Sequence, residues 1–457
     1  MIKMFKFFHT KTGLAATTIL AALTSANCKT TESAGQVPGD RLIPAGTGFA
    51  GTSVNSVPFR HNSIVTEGDI QYITFYKDDG SVMIGKRTLG EPEFAVTDTG
   101  IRGQPRNAHN NISIMTDGDG YIHLTVNSHN GQLFYYRGDS PGSLNLTRRY
   151  MIGTEYGSES AQEHRVTYTE FYRLPSGDLL LLYRNGSSGN GDMVLNRYTR
   201  SNQAWTRVHT QLVYGGGVSP YWQMYLDVKG TLHLSWVNRR SGDASTNSNM
   251  YYAYSTDQGQ TWRRKSDGSV YDMPIIASTA EKIWDIPENS NLINTTSMTA
   301  DQDGNPCIAT YWGNPIMNYR VIYHDGNQWN VRQVSDRNTS FNLSGSGTLM
   351  IPIARPRLVA KYDKSTGKTK AYFIFRDAER DYKVSMYSTD DISSDEVWKV
   401  RDLTDFSVYA WEPTHDTEIW KNLGRLHVFV QYADQISGDR PSEQTEMPVY
   451  CLEVNLD

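Results

Sequence analysis

Four residues, which form two pairs in the sequence, are of the types that transfer protons beside a bound anionic group. His109 and His129 lie twenty residues apart, and Tyr168 and Arg184 lie sixteen apart. A neutral imidazole or an ionised phenol can accept a proton, a phenol can donate one, and a guanidinium binds a carboxylate through paired hydrogen bonds. This set suits β-elimination from a uronic acid, in which the C5 proton is removed and the departing O4 is protonated. The scheme requires neither a metal nor another cofactor.

Each of these side chains also has a structural interpretation. His109 and His129 each precede an asparagine, so either could cap a turn, and Tyr is abundant with 28 residues. Arg184 could form a surface ion pair. We favour the catalytic interpretation because strand register, described below, brings all four residues to one rim. His123 and His233 lie inside apolar runs and are predicted to be packed.

The elements that must position these residues repeat along the chain. An extended segment, a glycine turn and a short apolar or aromatic run, such as Leu179–Tyr183, recur seven times. The turn glycines are Gly68, Gly120, Gly177, Gly230, Gly304, Gly367 and Gly424. Short runs bounded by turns predict strands, and seven units of four strands predict an all-β, seven-bladed β-propeller. The C-terminal run Val449–Val454 is predicted to close the ring by pairing with residues near Thr52–Val57.

Strand register predicts which residues meet at the rim opposite the glycine turns, where each first strand begins and each second strand ends. First-strand starts there are His109, Tyr168 and Tyr221, and second-strand ends are Lys77, His129, Arg184, Arg239 and Arg376. A rim with several cations in a chain of net charge −5 predicts an anionic ligand across the mouth of the central channel.

Two turn motifs favour structural roles. Residues Ser255 to Trp262 match the Asp-box pattern SxDxGxTW in full, in which polar side chains satisfy a turn and the Trp packs between sheets. The Asp-x-Asp turns that end at Asp119 and Asp303 could bind calcium. The turn interpretation is preferred because the equivalent turn at Gly177 has no carboxylate pair.

Composition excludes several classes of protein. The 457 residues include 44 Lys+Arg and 49 Asp+Glu, a balance that argues against a general nucleic-acid or anionic-membrane binder. Three cysteines exclude a disulfide scaffold, and no zinc-ligand spacing is present. Cys307 and Cys451 are predicted to be buried free thiols. We expect a monomer.

The first residues predict export. Residues 1–28 have the order of a secretory signal peptide, with lysines before the apolar segment Leu14–Leu23 and small residues after it. That segment is too short to span a bilayer, and no later one qualifies, so the protein is predicted to be secreted, periplasmic or at the cell surface. Cys28 stands where a lipoprotein carries its lipid anchor, but Ser25-Ala26-Asn27 departs from the usual pattern, so both states stay open. Residues 29–48 are predicted as a linker and 49–457 as the propeller.

Six segments carry a family resemblance. They are Arg60–Gly90, Ala108–Ser113, Asn127–Gly131, Leu182–Gly189, Ala354–Leu358 and Trp411–Asp416. Together they resemble the BNR-4 repeat propellers and, among these, the ulvan lyases of polysaccharide lyase family 25, over roughly residues 50–455. The resemblance implies a seven-bladed propeller that cleaves ulvan. Ulvan is a sulfated algal polysaccharide of rhamnose 3-sulfate linked to glucuronic or iduronic acid.

The resemblance also implies roles for individual residues. His109 and Tyr168 match the catalytic His and Tyr of the family, and Arg184 matches the Arg that neutralises the substrate carboxylate. His129 matches a second active-site His.

The remaining substrate contacts are assigned less directly. A further active-site Tyr matches Tyr221 or, with a different loop length, Tyr225. Arg239 and Arg240 are predicted sulfate contacts by register alone.

Three other functions stay open. The chain could be a propeller lyase for another uronate polymer, or a non-catalytic carbohydrate-binding propeller. The Asp-box alone suggests a sialidase-like hydrolase, but such an enzyme needs an Arg triad with an acid and a nucleophile. A hydrolytic glycosidase needs two placed carboxylates, and Glu170 is the nearest strand candidate.

Overall fold

The computed structural model describes residues 39–152, 163–301 and 303–456, which form seven antiparallel sheets. The first strand of the chain is β1 (Arg41–Phe49). Blades one to three contain β2 (Ile64–Glu67), β3 (Ile70–Tyr76), β4 (Ser81–Thr88), β5 (Ala95–Arg102), β6 (Ser113–Thr116), β7 (Ile122–Val126), β8 (Phe134–Gly138), β9 (Leu146–Arg149), β10 (Val166–Arg173), β11 (Leu179–Ser187), β12 (Asn190–Thr199) and β13 (Ala204–Val213).

The rest of the chain continues the same pattern. Blades four to six contain β14 (Ser219–Leu226), β15 (Leu232–Arg239), β16 (Asn247–Ser255), β17 (Glu281–Trp284), β18 (Ser297–Ala300), β19 (Pro306–Trp312), β20 (Asn318–His324), β21 (Trp329–Gln333), β22 (Arg357–Asp363), β23 (Lys368–Arg376), β24 (Lys383–Thr389) and β25 (Lys399–Ser407). Helix α1 (Thr417–Leu423), β26 (Leu426–Gln431) and β27 (Glu446–Val454) follow, and the short 3-10 helices are Pro58–Arg60, Ala244–Thr246 and Ala378–Arg380.

The sheets are arranged as blades around a centre. Blades one to six each contain four consecutive strands, and the first strands of several neighbouring blades pack against one another, as β6 does with β2 and β10. These inner strands are short and almost wholly buried. The predicted all-β, seven-bladed propeller is therefore confirmed.

Six of the seven predicted glycine turns join the first and second strands of blades one to six, from Gly68 to Gly367. Gly424 is the exception, because it ends α1 with a left-handed φ of 61°. In blade seven, residues around His415 run beside β26 in place of a regular first strand, and α1 takes the place of the tight turn. The prediction of a glycine hairpin at Gly424 was wrong.

Ring closure pairs the two ends of the described chain, as predicted, but with a different partner. β27 pairs with β1, so that Ile43 lies opposite Cys451, and blade seven is a three-stranded sheet. The predicted partner, residues near Thr52–Val57, was wrong, and the predicted linker 29–48 includes most of β1. Alternating burial in β1 is the physical reason, since one face of that strand covers the core.

The turn motifs and cysteines behave as predicted. In the Asp-box, Ser255 Oγ accepts from Gly259 N at 2.9 Å, and Trp262 is fully buried with its Nε1 donating to Gly259 O. The carboxylates of Asp117 and Asp301 accept backbone N–H groups within their own turns. Both cysteines of the described ranges are free and buried.

The predicted signal peptide, Cys28 and the first part of the predicted linker lie outside the described residues. In the described part of the chain, no helix has the length and apolar character needed to cross a bilayer.

Candidate active site

Six of the predicted site residues line one cleft at the end of the propeller opposite the glycine turns. Two come from loops of blade two, two from blade three and two from blade four. They are His109, His129, Tyr168, Arg184, Tyr221 and Arg239. The structure therefore brings together residues from three consecutive blades, as strand register predicted.

The two histidines form a stack. His109 precedes β6 and His129 follows β7, and their ring centroids are 4.2 Å apart with an angle of 12° between the ring planes. Phe59 also stacks on His109, with the ring centroids 5.7 Å apart. The His109 side chain is only 13% exposed.

Both imidazoles are neutral at neutral pH. Burial, the adjacent His129 and the guanidiniums of Arg184 and Arg355 lower the pKa of His109 to about 3, although Asp439 opposes the shift. Burial and Arg184 also lower the pKa of His129. A neutral imidazole has a lone pair, which is the form that a proton acceptor requires.

Tyr168 reaches the cleft through a strained backbone. The register between β10 and β11 shifts after Thr167, and Tyr168 has a φ of 60°, which a side chain with a Cβ rarely adopts. Its ring lies 4.5 Å from Phe59 and 4.9 Å from the Arg184 guanidinium. Burial, with a smaller contribution from Tyr221, raises the pKa of Tyr168 to about 12, so its hydroxyl keeps its proton.

Two guanidiniums converge on one phenol. Arg184 Nη1 and Arg239 Nη1 donate to the Tyr221 hydroxyl at 3.1 and 3.3 Å, and Ser188 Oγ lies 2.5 Å from it. Burial raises the pKa of Tyr221, but the two guanidiniums outweigh this effect, and the net pKa is lowered. Among the described residues, no carboxylate pairs with either guanidinium. Buried positive charge without a carboxylate partner attracts an anion.

The other cations that the sequence predicted for this rim are already engaged. Lys77 pairs with Glu446 at 3.6 Å, and Arg240 pairs with Glu288 at 2.7 Å. Arg376 is fully buried and donates to backbone carbonyl oxygens. The anion-binding charge is therefore concentrated at Arg184 and Arg239.

Tyr225 and Glu170 lie away from the cleft. Tyr225 is four residues further along β14 than Tyr221 and lines a separate cavity with His61 and His415. Glu170 is buried and accepts from Tyr172 Oη and Trp222 Nε1 at 2.5 and 3.0 Å. Burial raises the pKa of Glu170 to about 7. The structure thus separates Tyr225 from the other predicted substrate-binding residues.

Sequence reasoning missed three residues that touch His109. Asn107 Oδ1 lies 3.2 Å from His109 Nδ1, Thr348 Oγ1 lies 3.4 Å away and Asp439 Oδ1 lies 3.6 Å away. The Asn-Ala-His spacing of residues 107–109 is typical of an Asx turn and could have indicated Asn107. Thr348 and Asp439 carry no such local signal because they come from loops far along the chain.

The cleft can hold an anion next to a neutral base and a protonated acid. Asp439 is the one carboxylate among the described residues that line it beside the histidines. A glycosidase would need a second placed carboxylate. Within the described ranges, no group of three or more His, Cys, Asp or Glu side chains is arranged to hold a metal ion.

Comparison with known proteins identifies relatives of this chain. Residues 70–337 match the family model described as BNR repeat-containing family member. An ulvan lyase, long isoform, from Glaciecola sp. (strain KUL10) is 25% identical over 270 residues, which are 46% of this chain and 26% of that protein. The chain therefore spans about a quarter of the length of the curated relatives it matches.

Solved structures share the fold over nearly the whole chain. The polysaccharide lyase Uly1 superimposes with a TM-score of 0.65 at 15% identity, covering 92% of this chain and 100% of that one. A PL25 ulvan lyase bound to -[GlcA(1-4)Rha3S]- superimposes with a TM-score of 0.61 at 13% identity, covering 90% and 96%.

Proposed function

Because the chain belongs to the BNR repeat-containing family, we propose that it is a polysaccharide lyase that cleaves ulvan by β-elimination. Cleavage at O4-linked glucuronic or iduronic acid leaves an unsaturated uronate end. The observation that carries the proposal is the pair of buried guanidiniums, Arg184 and Arg239, that share the Tyr221 hydroxyl beside two neutral imidazoles. The ulvan lyases among the relatives support the choice of polymer.

The first step is binding of the uronate carboxylate. The Arg184 guanidinium has no carboxylate partner among the described residues and can bind the substrate carboxylate. Its charge, with that of Arg239, stabilises the enolate that develops when the C5 proton leaves. The Tyr221 hydroxyl fixes both guanidiniums and so reduces the reorganisation needed in the transition state.

His109 abstracts the C5 proton, and Tyr168 protonates the leaving group. His109 is uncharged because its pKa is lowered to about 3, so it can accept the C5 proton. Tyr168 is protonated because its pKa is raised to about 12, so it can donate to O4. The ring centroids of His109 and Tyr168 are 6.0 Å apart, which leaves both within reach of one sugar residue.

The two uronates require different use of these groups. Glucuronate and iduronate are C5 epimers, so their C5 protons face opposite ways. We expect His109 to act as the base on one face while Tyr168 donates to O4. For the other epimer, Tyr168 would serve as both base and acid from the same side: its phenolate, which the nearby guanidiniums of Arg184 and Arg239 favour, would take the C5 proton and then pass it to O4.

Export is part of the proposal. A polysaccharide of this size is met outside the cell, and the order of residues 1–28 is that of a secretory signal.

The test is a degradation assay on ulvan, alginate, pectin and glycosaminoglycans, followed by the ultraviolet absorbance of the unsaturated uronate. We expect the native protein to form this product from ulvan and Arg184→Ala to form it more slowly by about a hundredfold or more. Product only from another uronate polymer would move the assignment to that substrate. Binding without product would identify a carbohydrate-binding propeller instead.

A further inference from the structure

One amide side chain faces a nitrogen of each imidazole in the cleft. Asn107 Oδ1 is 3.2 Å from His109 Nδ1, and Asn107 Nδ2 is 3.2 Å from His129 Nδ1. We propose that Asn107 is a positioning residue that holds His109 and His129 in opposite tautomers, one as a proton acceptor and the other as a hydrogen-bond donor. The catalytic consequence rests on the proposed function, whereas the tautomers themselves do not.

The backbone determines which way the amide points. The N–H of His109 donates at 2.9 Å to the same amide atom that faces His109 Nδ1. A backbone N–H can only donate, so that atom is the amide oxygen. The opposite end of the side chain is then the NH2 group, which also can only donate. His129 Nδ1 must therefore carry a lone pair, and His109 Nδ1 must carry a hydrogen.

The Asp439 carboxylate favours the same tautomer of His109, and the Thr348 hydroxyl, which can donate or accept, is compatible with it. Asp439 Oδ1 lies 3.6 Å from Nδ1 and can only accept when ionised. Asp439 is itself held in place by the backbone N–H of Thr348 at 2.6 Å, and the Thr348 hydroxyl lies 3.4 Å from Nδ1. The Asn107 amide oxygen and the Asp439 carboxylate thus both stabilise a hydrogen on Nδ1, so the lone pair of His109 is on Nε2.

The tautomer of His129 is the reverse. Because its Nδ1 accepts from Asn107, the neutral ring carries its hydrogen on Nε2. His129 lines the cleft together with Arg184 and Tyr221. Among the described residues, Nε2 of neither histidine has a hydrogen-bond partner, so both atoms are available to a ligand.

This division of tautomers matches the elimination step. The C5–H bond breaks and its proton goes to His109 Nε2, while its electron pair forms the C4–C5 double bond. The C4–O4 bond breaks, and O4 takes the proton of the Tyr168 hydroxyl. The new imidazolium keeps its Nδ1–H hydrogen-bonded to Asn107 Oδ1, so His109 does not have to release a second proton. His129 stays neutral and can donate from Nε2 to the substrate anion.

Two substitutions separate the two ends of the amide. Asn107→Asp offers oxygen to both rings, so it should keep the His109 tautomer and shift the His129 hydrogen to Nδ1. Asn107→Leu removes both hydrogen bonds. The matched control is Asn110→Asp in the same loop, whose side chain donates to Gln104 O at 3.1 Å and touches neither ring.

The direct readout is the tautomer of each ring. Two-bond proton–nitrogen NMR spectra of histidine-labelled protein, assigned with His109→Gln and His129→Gln, report which ring nitrogen is protonated. We expect opposite tautomers in the native protein and in Asn110→Asp, and a switched His129 in Asn107→Asp. The same tautomer on both rings of the native protein, or unchanged tautomers in Asn107→Asp, would overturn the proposal.

The second readout is turnover on ulvan. We expect both Asn107 variants to lower kcat by about tenfold to a hundredfold with a smaller change in KM, as for other groups that orient a reactive ligand. A kcat equal to that of Asn110→Asp would also overturn the positioning role. If the native protein has opposite tautomers but forms no unsaturated product, the proposed function fails while the tautomer assignment stands.

Discussion

Two regions of the propeller combine the same side chains with opposite results. Inside blades two and four, His123 and His233 each lie between a carboxylate and a phenol. His233 Nε2 is 3.2 Å from Asp227 Oδ2, and its Nδ1 is 2.6 Å from Tyr252 Oη. His123 makes the equivalent contacts in blade two. Both nitrogens of each ring are satisfied, and both rings are buried.

The cleft histidines are hydrogen-bonded at one nitrogen. Asn107 pairs with Nδ1 of His109 and of His129, and no described residue forms a hydrogen bond with either Nε2. The blade carboxylates are also held by the N–H groups of their own turns, whereas Asp439 comes from a distant loop. An imidazole beside a phenol and a carboxylate can react when the fold leaves one of its two nitrogens without a hydrogen bond in a cavity. The same group is structural when both nitrogens are hydrogen-bonded.

The largest effect that this comparison predicts is on His109. Replacing His109 with Ala removes the proposed base. It should lower kcat/KM by about a thousandfold on the uronate epimer for which His109 is the base, within the range for general base catalysis. Ultraviolet assays on ulvan fractions enriched in glucuronate or iduronate should give unequal losses. Equal losses on both fractions would contradict the division of work between His109 and Tyr168.

The next effect is on the anion site. Arg184→Ala should lower kcat/KM by about a hundredfold or more, because a fixed cation no longer meets the developing enolate. Arg102→Ala is the matched control, since that guanidinium pairs with Asp98 on an outer strand. A similar loss in both variants would remove the special role of Arg184.

A smaller effect, on stability alone, is predicted for the blade histidines. His233→Leu leaves Asp227 Oδ2 and Tyr252 Oη without this partner and should lower the free energy of unfolding by about 1–3 kcal/mol. Denaturant unfolding measures this change, and kcat/KM of the folded protein should match that of the native enzyme. A folded but inactive variant would contradict the structural assignment.

The smallest effect concerns acid stability. An unfolded histidine titrates near pH 6.5, and His109 in the fold titrates near 3. Between these values the unfolded chain binds more protons at this position, so the native protein loses stability as the pH falls from 6.5 towards 3. The melting temperature of His109→Gln should therefore fall less than that of the native protein between pH 7 and pH 5, roughly the upper part of this window. An equal drop in both proteins would contradict the lowered pKa.

Local sequence determined much of this protein. Short apolar runs between glycine turns determine the strands, because a turn such as that at Gly177 needs a left-handed φ of 84° that glycine adopts readily. Antiparallel pairing of the first and second strands of a blade then places the start of one and the end of the other at one rim, where Tyr168, Arg184, Tyr221 and Arg239 lie. The strands and their pairing within a blade both depend on residues close in the chain, so both could be predicted from the sequence.

Tertiary structure alone decided which of these groups are free to react. Arg376 stands at the same strand position as Arg239, but backbone carbonyl oxygens from distant loops bind it. Tyr225 and Tyr221 share one strand, but they open into different cavities. Thr348 and Asp439 approach His109 from blades remote in sequence. Whether a polar side chain finds a hydrogen-bond partner depends on residues that are distant in the sequence, and no local sequence pattern predicts which of them come close.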